Sequence, residues 1–358
     1  MSKAFRDAGH FTVVVTSHGN EGPSEEQVEN GIIYYAYRMA DIGKAHVTEL
    51  VLQKAREHHM DWIEGTEHLG ESALLLTCRP RPPVVIKAHY NDVPECARYA
   101  QAYYGWQKLM IDLACWRGRK RLRRESYSLE NADILTAASF RVLHELEAQG
   151  LRLPAKRFVI PNPITPMPGW VNREAPDPTI LLIARIDIGK GIEYLPAMLD
   201  ALTPQFPNLR LEIIGGDSYA RFIGSTKRWL LRKLGKRNKY VNFLGTISPD
   251  ALDEAYRRAW VVIVPSRWDT FPTVVLEAMV RGKAVVASPH GGMPEMLSET
   301  DCAIADPAES QFSQALADFL ADPARRQRAG ESASKKAHIA YNPRKVLSDY
   351  LAILNSVA

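Results

Sequence analysis

Residues 265–295 read PSRWDTFPTVVLEAMVRGKAVVASPHGGMPE. The apolar run Val261–Val264 just before them, ended by Pro265 and Ser266, reads as a buried strand. Pro272 suits the first position of a helix, where its missing N–H would be unpaired anyway. Gly282 suits the helix stop, and Ala284–Ala287 reads as the next buried strand. Strand, helix and strand in this order place the helix N-terminus at the carboxyl edge of a parallel sheet. Free N–H groups and the helix dipole favour an anionic ligand there. Two carboxylates flank the turn: Asp269 in the loop and Glu277 inside the helix. One can meet the reacting end of a ligand and the other its distal hydroxyls.

A second stretch, residues 181–191, reads LLIARIDIGKG. An apolar run ends in Arg185, and Lys190 follows just before a helical segment. Two cations at this spacing can hold a diphosphate from two sides, Arg as a planar fork and Lys as a point charge. A third, residues 82–89, reads PPVVIKAH, a strand ending in His89.

Together these stretches resemble retaining GT-B glycosyltransferases of the GT4 type. That pattern is a carboxylate, seven residues, Glu-Ala-Met, a Gly, a strand and a Gly-Gly loop, here Asp269, Glu277-Ala278-Met279, Gly282 and Gly291-Gly292. The chain departs from it in carrying Asp269 where Glu is usual, and Thr270-Phe271-Pro272 for the commoner Gly-Phe-Gly. The resemblance implies that Arg185 and Lys190 neutralise a leaving nucleoside diphosphate. It implies that Glu277 accepts from the ribose hydroxyls, that Asp269 and the Thr270, Phe271 and Pro272 loop hold the sugar ring, and that His89 lies near sugar and acceptor. His89, Asp269, Arg185 and Lys190 are thus the expected catalytic residues, with no metal and no cofactor. Attack on the same face of the sugar, with the leaving phosphate taking the acceptor's proton, is likewise implied by the resemblance.

The 358 residues suit two α/β domains, and 46% apolar content is enough to fill two cores. Strands are expected near 11–16, 32–37, 61–64, 83–88, 132–136 and 157–160. After a Pro-rich segment, PNPITPMPGWVNREAPDP (161–178), come strands near 179–184, 210–214, 240–244, 260–264, 284–287 and 302–305. Alternation with helices in both halves predicts two doubly wound, Rossmann-like domains. They are expected over 1–165 and 175–340, the Pro-rich segment between them a stiff linker. In the GT-B arrangement the two would face a cleft, acceptor on the first and donor on the second, with a final helix (344–358) crossing back.

The opening MSKAFRDAGHFTVVVTS resembles the tail of that family's first helix and its second strand. The expectation is that the first strand and its Gly-rich loop are missing. The competing reading makes Phe11–Thr16 the first, central strand, beside the one ending at His89, with HGNEGP (18–23) as the loop.

Cys78, Cys96, Cys115 and Cys302 form no Cys-x-x-Cys pair and read as thiols of a reducing cytosol. No apolar run approaches a membrane span. Two basic stretches stand out against a net charge of only +4: RGRKRLRR (117–124), after Trp106, Leu109, Met110, Leu113 and Trp116, and KRWLLRKLGKRNK (227–239). The first reads either as a contact with anionic lipid or as a solvated helix face. No nucleic-acid motif accompanies either. The sequence therefore predicts a cytoplasmic enzyme, peripheral at the inner face of the membrane, acting in polysaccharide biosynthesis. It would move a sugar from a UDP- or GDP-linked donor to a glycan or lipid-linked hydroxyl. A sugar-nucleotide epimerase and a non-catalytic nucleotide-binding remnant of the same fold are the alternatives.

Overall fold

The computed structural model describes residues 2–18, 22–89, 119–220 and 223–356. The chain forms two compact units. The first takes the described residues up to Pro163 together with Pro343 onward; the second takes Ile164–Asn342.

In the first unit, β1 (Thr12–Ser17), β2 (Ser24–Val28) and β3 (Gly31–Tyr37) form one sheet in the order β1-β3-β2. β4 (Ile63–Thr66), β5 (Val84–Ala88), β6 (Ile134–Ala137) and β7 (Arg157–Val159) form a second, all parallel, in sequence order. The period of two sends alternate side chains of β5 to opposite faces. Val84, Ile86 and Ala88 join Leu135 and Ala137 in one core, while Val85 joins Ile134 in the other. Helices α1 (Ser2–Asp7), α2 (Ala45–Glu57), α3 (Ala73–Thr77), α4 (Arg119–Glu130) and α5 (Phe140–Ala148) belong to this unit.

The competing reading of the opening does not hold. β1 pairs in parallel with β3, from Thr12↔Gly31 to Thr16↔Tyr35, whereas β5 has β4 and β6 at its sides. Phe11–Thr16 is therefore not a central strand beside the one ending at His89. The loop read at HGNEGP lies partly outside the described residues, as do Cys96, Cys115 and the segment Trp106–Trp116. Of the basic run 117–124, only Arg123 and Arg124 have described side chains, both exposed at the start of α4.

The second unit is built on a six-stranded parallel sheet. Its strands are β8 (Thr179–Ile183), β9 (Arg210–Ile214), β12 (Val241–Gly245), β13 (Val261–Val264), β14 (Ala284–Ala287) and β15 (Ala303–Ile304), with a small hairpin of β10 (Tyr219–Ala220) and β11 (Gly224–Ser225) outside it. The order is β12-β9-β8-β13-β14-β15. Every residue of β13 and β14 is buried, which is why both read as unbroken apolar runs. Helices α6 (Leu195–Leu202), α7 (Thr226–Leu234), α8 (Pro249–Arg258), α9 (Thr273–Val280), α10 (Met293–Leu297), α11 (Ser310–Ala321) and α12 (Pro323–Ala340) complete it. Local chemistry starts several of them. Ser248 and Asp322 each accept a backbone N–H three residues on, and each is followed by proline.

The Pro-rich segment is not a free linker. Its backbone N–H groups at Arg173 and Ala175 donate to the carbonyls of Arg257 and Arg258. Glu174 accepts two bonds from the buried Arg326 guanidinium. Helix α13 (Pro343–Asn355) follows the second unit in sequence but belongs to the first. There Val346, Leu347, Tyr350 and Leu354 share a core with Phe5, Val85 and Ile134, and Tyr350 donates its hydroxyl to Glu64.

Lys283, at the entry to β14, is only 2% exposed. Its ammonium donates to the carbonyls of Ala259 and Arg257, and burial pulls its pKa down to about 8. Below pH 8 the cation is present in folded and unfolded chains alike, and its burial cost is borne in full. As the pH rises from 8 to 10.5 the folded chain sheds this proton first, so the cost fades. Lys283→Met should remove that slope. In urea melts, the parent should gain on the variant by roughly 2–3 kcal/mol between pH 7.5 and 10.5. Parallel pH profiles for the two would refute the assignment.

Candidate functional site

β8 leads to β9 on one side, while β13 lies on its other side and leads to β14. The crevice between the carboxyl ends of β8 and β13 is thus the point where strand order reverses. Open parallel sheets bind ligands at such a point, because the two connections diverge and leave space.

The loops after these strands are fixed backbone to backbone. Arg267 donates its N–H to the Gly189 carbonyl. Gly191 has φ 74°, and a Cβ there would lie 1.9 Å from the Pro265 carbonyl oxygen. Gly291 has φ 75°, and a Cβ there would lie 1.8 Å from the Asp269 carbonyl oxygen, which also accepts the Gly292 N–H. Only glycine permits either approach. Arg267 adds an ion pair to Glu193, whose pKa burial raises even against the guanidinium's pull.

This framework sets Lys190 Nζ 2.7 Å from Asp269 Oδ2, both side chains mostly buried. Arg185, at the end of β8, is exposed, and its guanidinium has no carboxylate partner among the described contacts. Phe271 and Pro272 are buried, Phe271 edge-on to Tyr341 with ring centroids 5.4 Å apart. The side chains of Phe271 and Pro272 therefore turn inward, while Asp269 and Thr270 stay partly exposed. Pro272 is the N-cap of α9, with extended ψ, rather than its first helical residue. Gly282, φ 61°, lies just past the helix end. Glu277 Oε2 accepts the hydroxyl of Tyr256, a buried side chain on α8. Burial, then the neighbouring carboxylate, raises that phenol's pKa far enough to keep it a donor. The other Glu277 oxygen has no partner among the described contacts.

His89 stands apart, on the first unit, just beyond β5. Its backbone N–H donates to both oxygens of the buried Glu67, at 2.9 and 3.1 Å, and Nδ1 lies 3.0 Å from the Lys87 carbonyl. Burial and then the Lys87 charge lower its pKa, so the ring is neutral at pH 7. The structure thus brings Arg185, Lys190, Asp269, Thr270, Phe271, Pro272 and Glu277 to one edge of the second unit and leaves His89 on the other unit. Sequence reasoning missed Tyr256 and Glu67, whose partners lie 21 and 22 residues away on other elements. Spacing carries no signal for either. Among the described residues no three His, Cys, Asp or Glu side chains cluster as metal ligands would.

Residues 170–336 match the family described as glycosyl transferases group 1. The matched residues all lie within the second unit. D-inositol 3-phosphate glycosyltransferase of Corynebacterium glutamicum is 33% identical over 162 residues, 44% of this chain and 38% of that protein. The matched segments span only 22–38% of the first curated relatives' own lengths. Sucrose-phosphate synthase of Thermosynechococcus elongatus has a structure similar to this chain, with TM-score 0.78 at 21% identity, covering 99% of this chain and 92% of that one. The Anabaena protein HepE, solved with UDP, follows at TM-score 0.67 and 20% identity, covering 92% and 86%. At these identities the likeness establishes the fold, and that fold is GT-B.

The close approach of Gly291 to the Asp269 carbonyl can be tested by substitution. Gly291→Ala should cost on the order of 2 kcal/mol in urea melts. Gly150→Ala, with φ 85° but nothing within 4 Å of the new Cβ, isolates the backbone strain alone. Equal losses for the two would show that the contact with Asp269 contributes nothing.

Proposed function

We propose that this chain is a retaining glycosyltransferase that moves a sugar from a nucleotide-sugar, UDP-linked in the first instance, to a hydroxyl of a glycan or lipid-linked acceptor. The observation that carries the reading is the Lys190–Asp269 pair at the reversal point of the sheet, with the unpaired Arg185 guanidinium on the same edge. The family match and the UDP in the HepE structure support it.

Transfer builds negative charge on the departing diphosphate and positive charge on the sugar. Arg185 meets the first. Lys190 joins it, since an ammonium has three donors and can bridge Asp269 and a phosphate oxygen. The first N–H groups of α9 add further donors at the same edge. With Arg185 and Lys190 to meet the leaving group, a metal ion is not needed. The open oxygen of Glu277 takes a ribose hydroxyl, while Tyr256 holds the other. Asp269, its charge shared with Lys190, faces the sugar. His89 contributes as a neutral imidazole beside the acceptor. Attack comes from the face the diphosphate leaves, and the departing phosphate oxygen takes the acceptor's proton.

A thermal-shift panel of UDP- and GDP-sugars, followed by transfer assays in the presence of EDTA, tests the reading. Stabilisation by one nucleotide class and metal-independent transfer are expected. Activity abolished by chelation and restored by a divalent ion would overturn the metal-free mechanism.

Arg185→Ala separates catalysis from folding. The side chain makes no ion pair among the described residues, so the melting temperature should not move, while kcat should fall roughly 10²–10³-fold. Retained kcat would remove Arg185 from the reaction. Glu277→Gln should weaken nucleoside binding by about 1–3 kcal/mol, read by titration calorimetry, through the poorer acceptor it presents to a ribose hydroxyl.

A further inference from the structure

Helix α7 and the turn after it, residues 226–240, carry seven cations and no acid: Lys227, Arg228, Arg232, Lys233, Lys236, Arg237 and Lys239. The helix is cut in two lengthwise. Thr226, Leu230 and Leu234 are buried, and the two leucines join the sheet's core. Arg228 and Arg232 occupy the opposite face, and Lys233, Lys236 and Lys239 are also exposed. Arg237 is neutralised by Asp200. Arg228, Arg232, Lys233, Lys236 and Lys239 have no carboxylate at ion-pair distance among the described residues. The fold thus gathers five cations without a carboxylate partner on α7 and the turn that leads into β12, the edge strand of the sheet.

Packing does not require such a concentration. Like charges on adjoining turns repel each other, and they impose that cost on the folded chain. The apolar side chains beside them narrow the choice of partner. Trp229 and Leu231 are half-buried on the flanks of the cationic face, with Lys233 Nζ 5.7 Å from the centre of the Trp229 ring. Tyr219, on the hairpin that leads directly into α7, is 86% exposed, a rare position for a large ring. Cations that meet headgroups, with aromatic and leucine side chains at their margin to enter the acyl boundary, are what an interfacial helix presents. A soluble polyanion that offers only charge would make no use of the rings.

We propose that the outward face of α7 and its following turn, with Tyr219 and Trp229 at the margin, is a docking surface for an anionic membrane. It holds the second unit at the lipid surface without a spanning segment; no helix among the described residues is long and apolar enough to be one. The attraction is additive in charge and screened by salt.

The test is co-sedimentation of the full chain with vesicles of equal parts phosphatidylglycerol and phosphatidylcholine, against phosphatidylcholine alone. Neither donor nor acceptor is present, so the result stands apart from the catalytic reading. The parent should bind only the anionic vesicles and should be released by high salt. Each cation contributes roughly fivefold in partition, so Gln at Arg228, Arg232, Lys233 and Lys236 together should lower binding by at least about a hundredfold. Brominated lipid in the vesicles should quench parent fluorescence, and Trp229→Phe should lose that component; this second readout remains even if the quadruple variant folds poorly. Three results would overturn the proposal. The quadruple variant could bind as the parent does. Quenching could persist without Trp229. The parent could ignore the vesicles while binding a soluble polyanion such as heparin.

Discussion

Two carbonyl oxygens, those of Pro265 and Asp269, set the geometry of the second unit's working edge. Each is closed over by a glycine in a left-handed conformation, Gly191 on the first and Gly291 on the second. A side chain at either glycine would force a loop off its neighbour. The contact leaves the loops after β8, β13 and β14 with one arrangement in which all three fit. Lys190 meets Asp269 because of this. The register of the β8–β13 ladder supplies the other half of the constraint, since it fixes where both loops begin.

On that frame the charges take distinct roles. Lys190 and Asp269 neutralise each other in a mostly buried position, where an unpaired charge would be costly. Arg185 is exposed, with no carboxylate partner among the described residues. The edge thus carries one solvated guanidinium and one organised ion pair. Glu277 follows the same division, one oxygen anchored by Tyr256 and one left open. Lys190 and Glu277 are thus each held by one neighbour.

Much of the second unit was readable before the structure. VVIV, AVVA and TILLI are continuous apolar runs because parallel strands are covered on both faces, and Gly282 ends its helix as glycine does. What stayed hidden was long-range or atypical. β2 reads SEEQV, almost wholly exposed, and carries no apolar alternation. The hairpin strands β10 and β11 are two residues each, too short for any period. The Pro-rich segment looked like a linker because its bonds to Arg257, Arg258 and Arg326 come from distant helices. In the first unit most strand positions were legible, but their order was not. β1 is flanked by β3 because pairing is a tertiary choice, and the apolar pattern of TVVVTS fits many neighbours. At the site the residue types were legible; the supporting Tyr256 and Glu67 were not.

The ring of Tyr341 rests edge-on against Phe271, in the loop beside Asp269. Its carbonyl accepts the N–H of Ile164 at 2.8 Å. Ile164 is where the chain enters the second unit, and two residues after Tyr341 it leaves at Pro343. Both passages of the chain are therefore stitched together at one residue, and that residue leans on the loop that carries Asp269. Tyr341 thus ties the segment that opens the second unit to the loop that carries Asp269, the one by a backbone bond and the other by a ring contact.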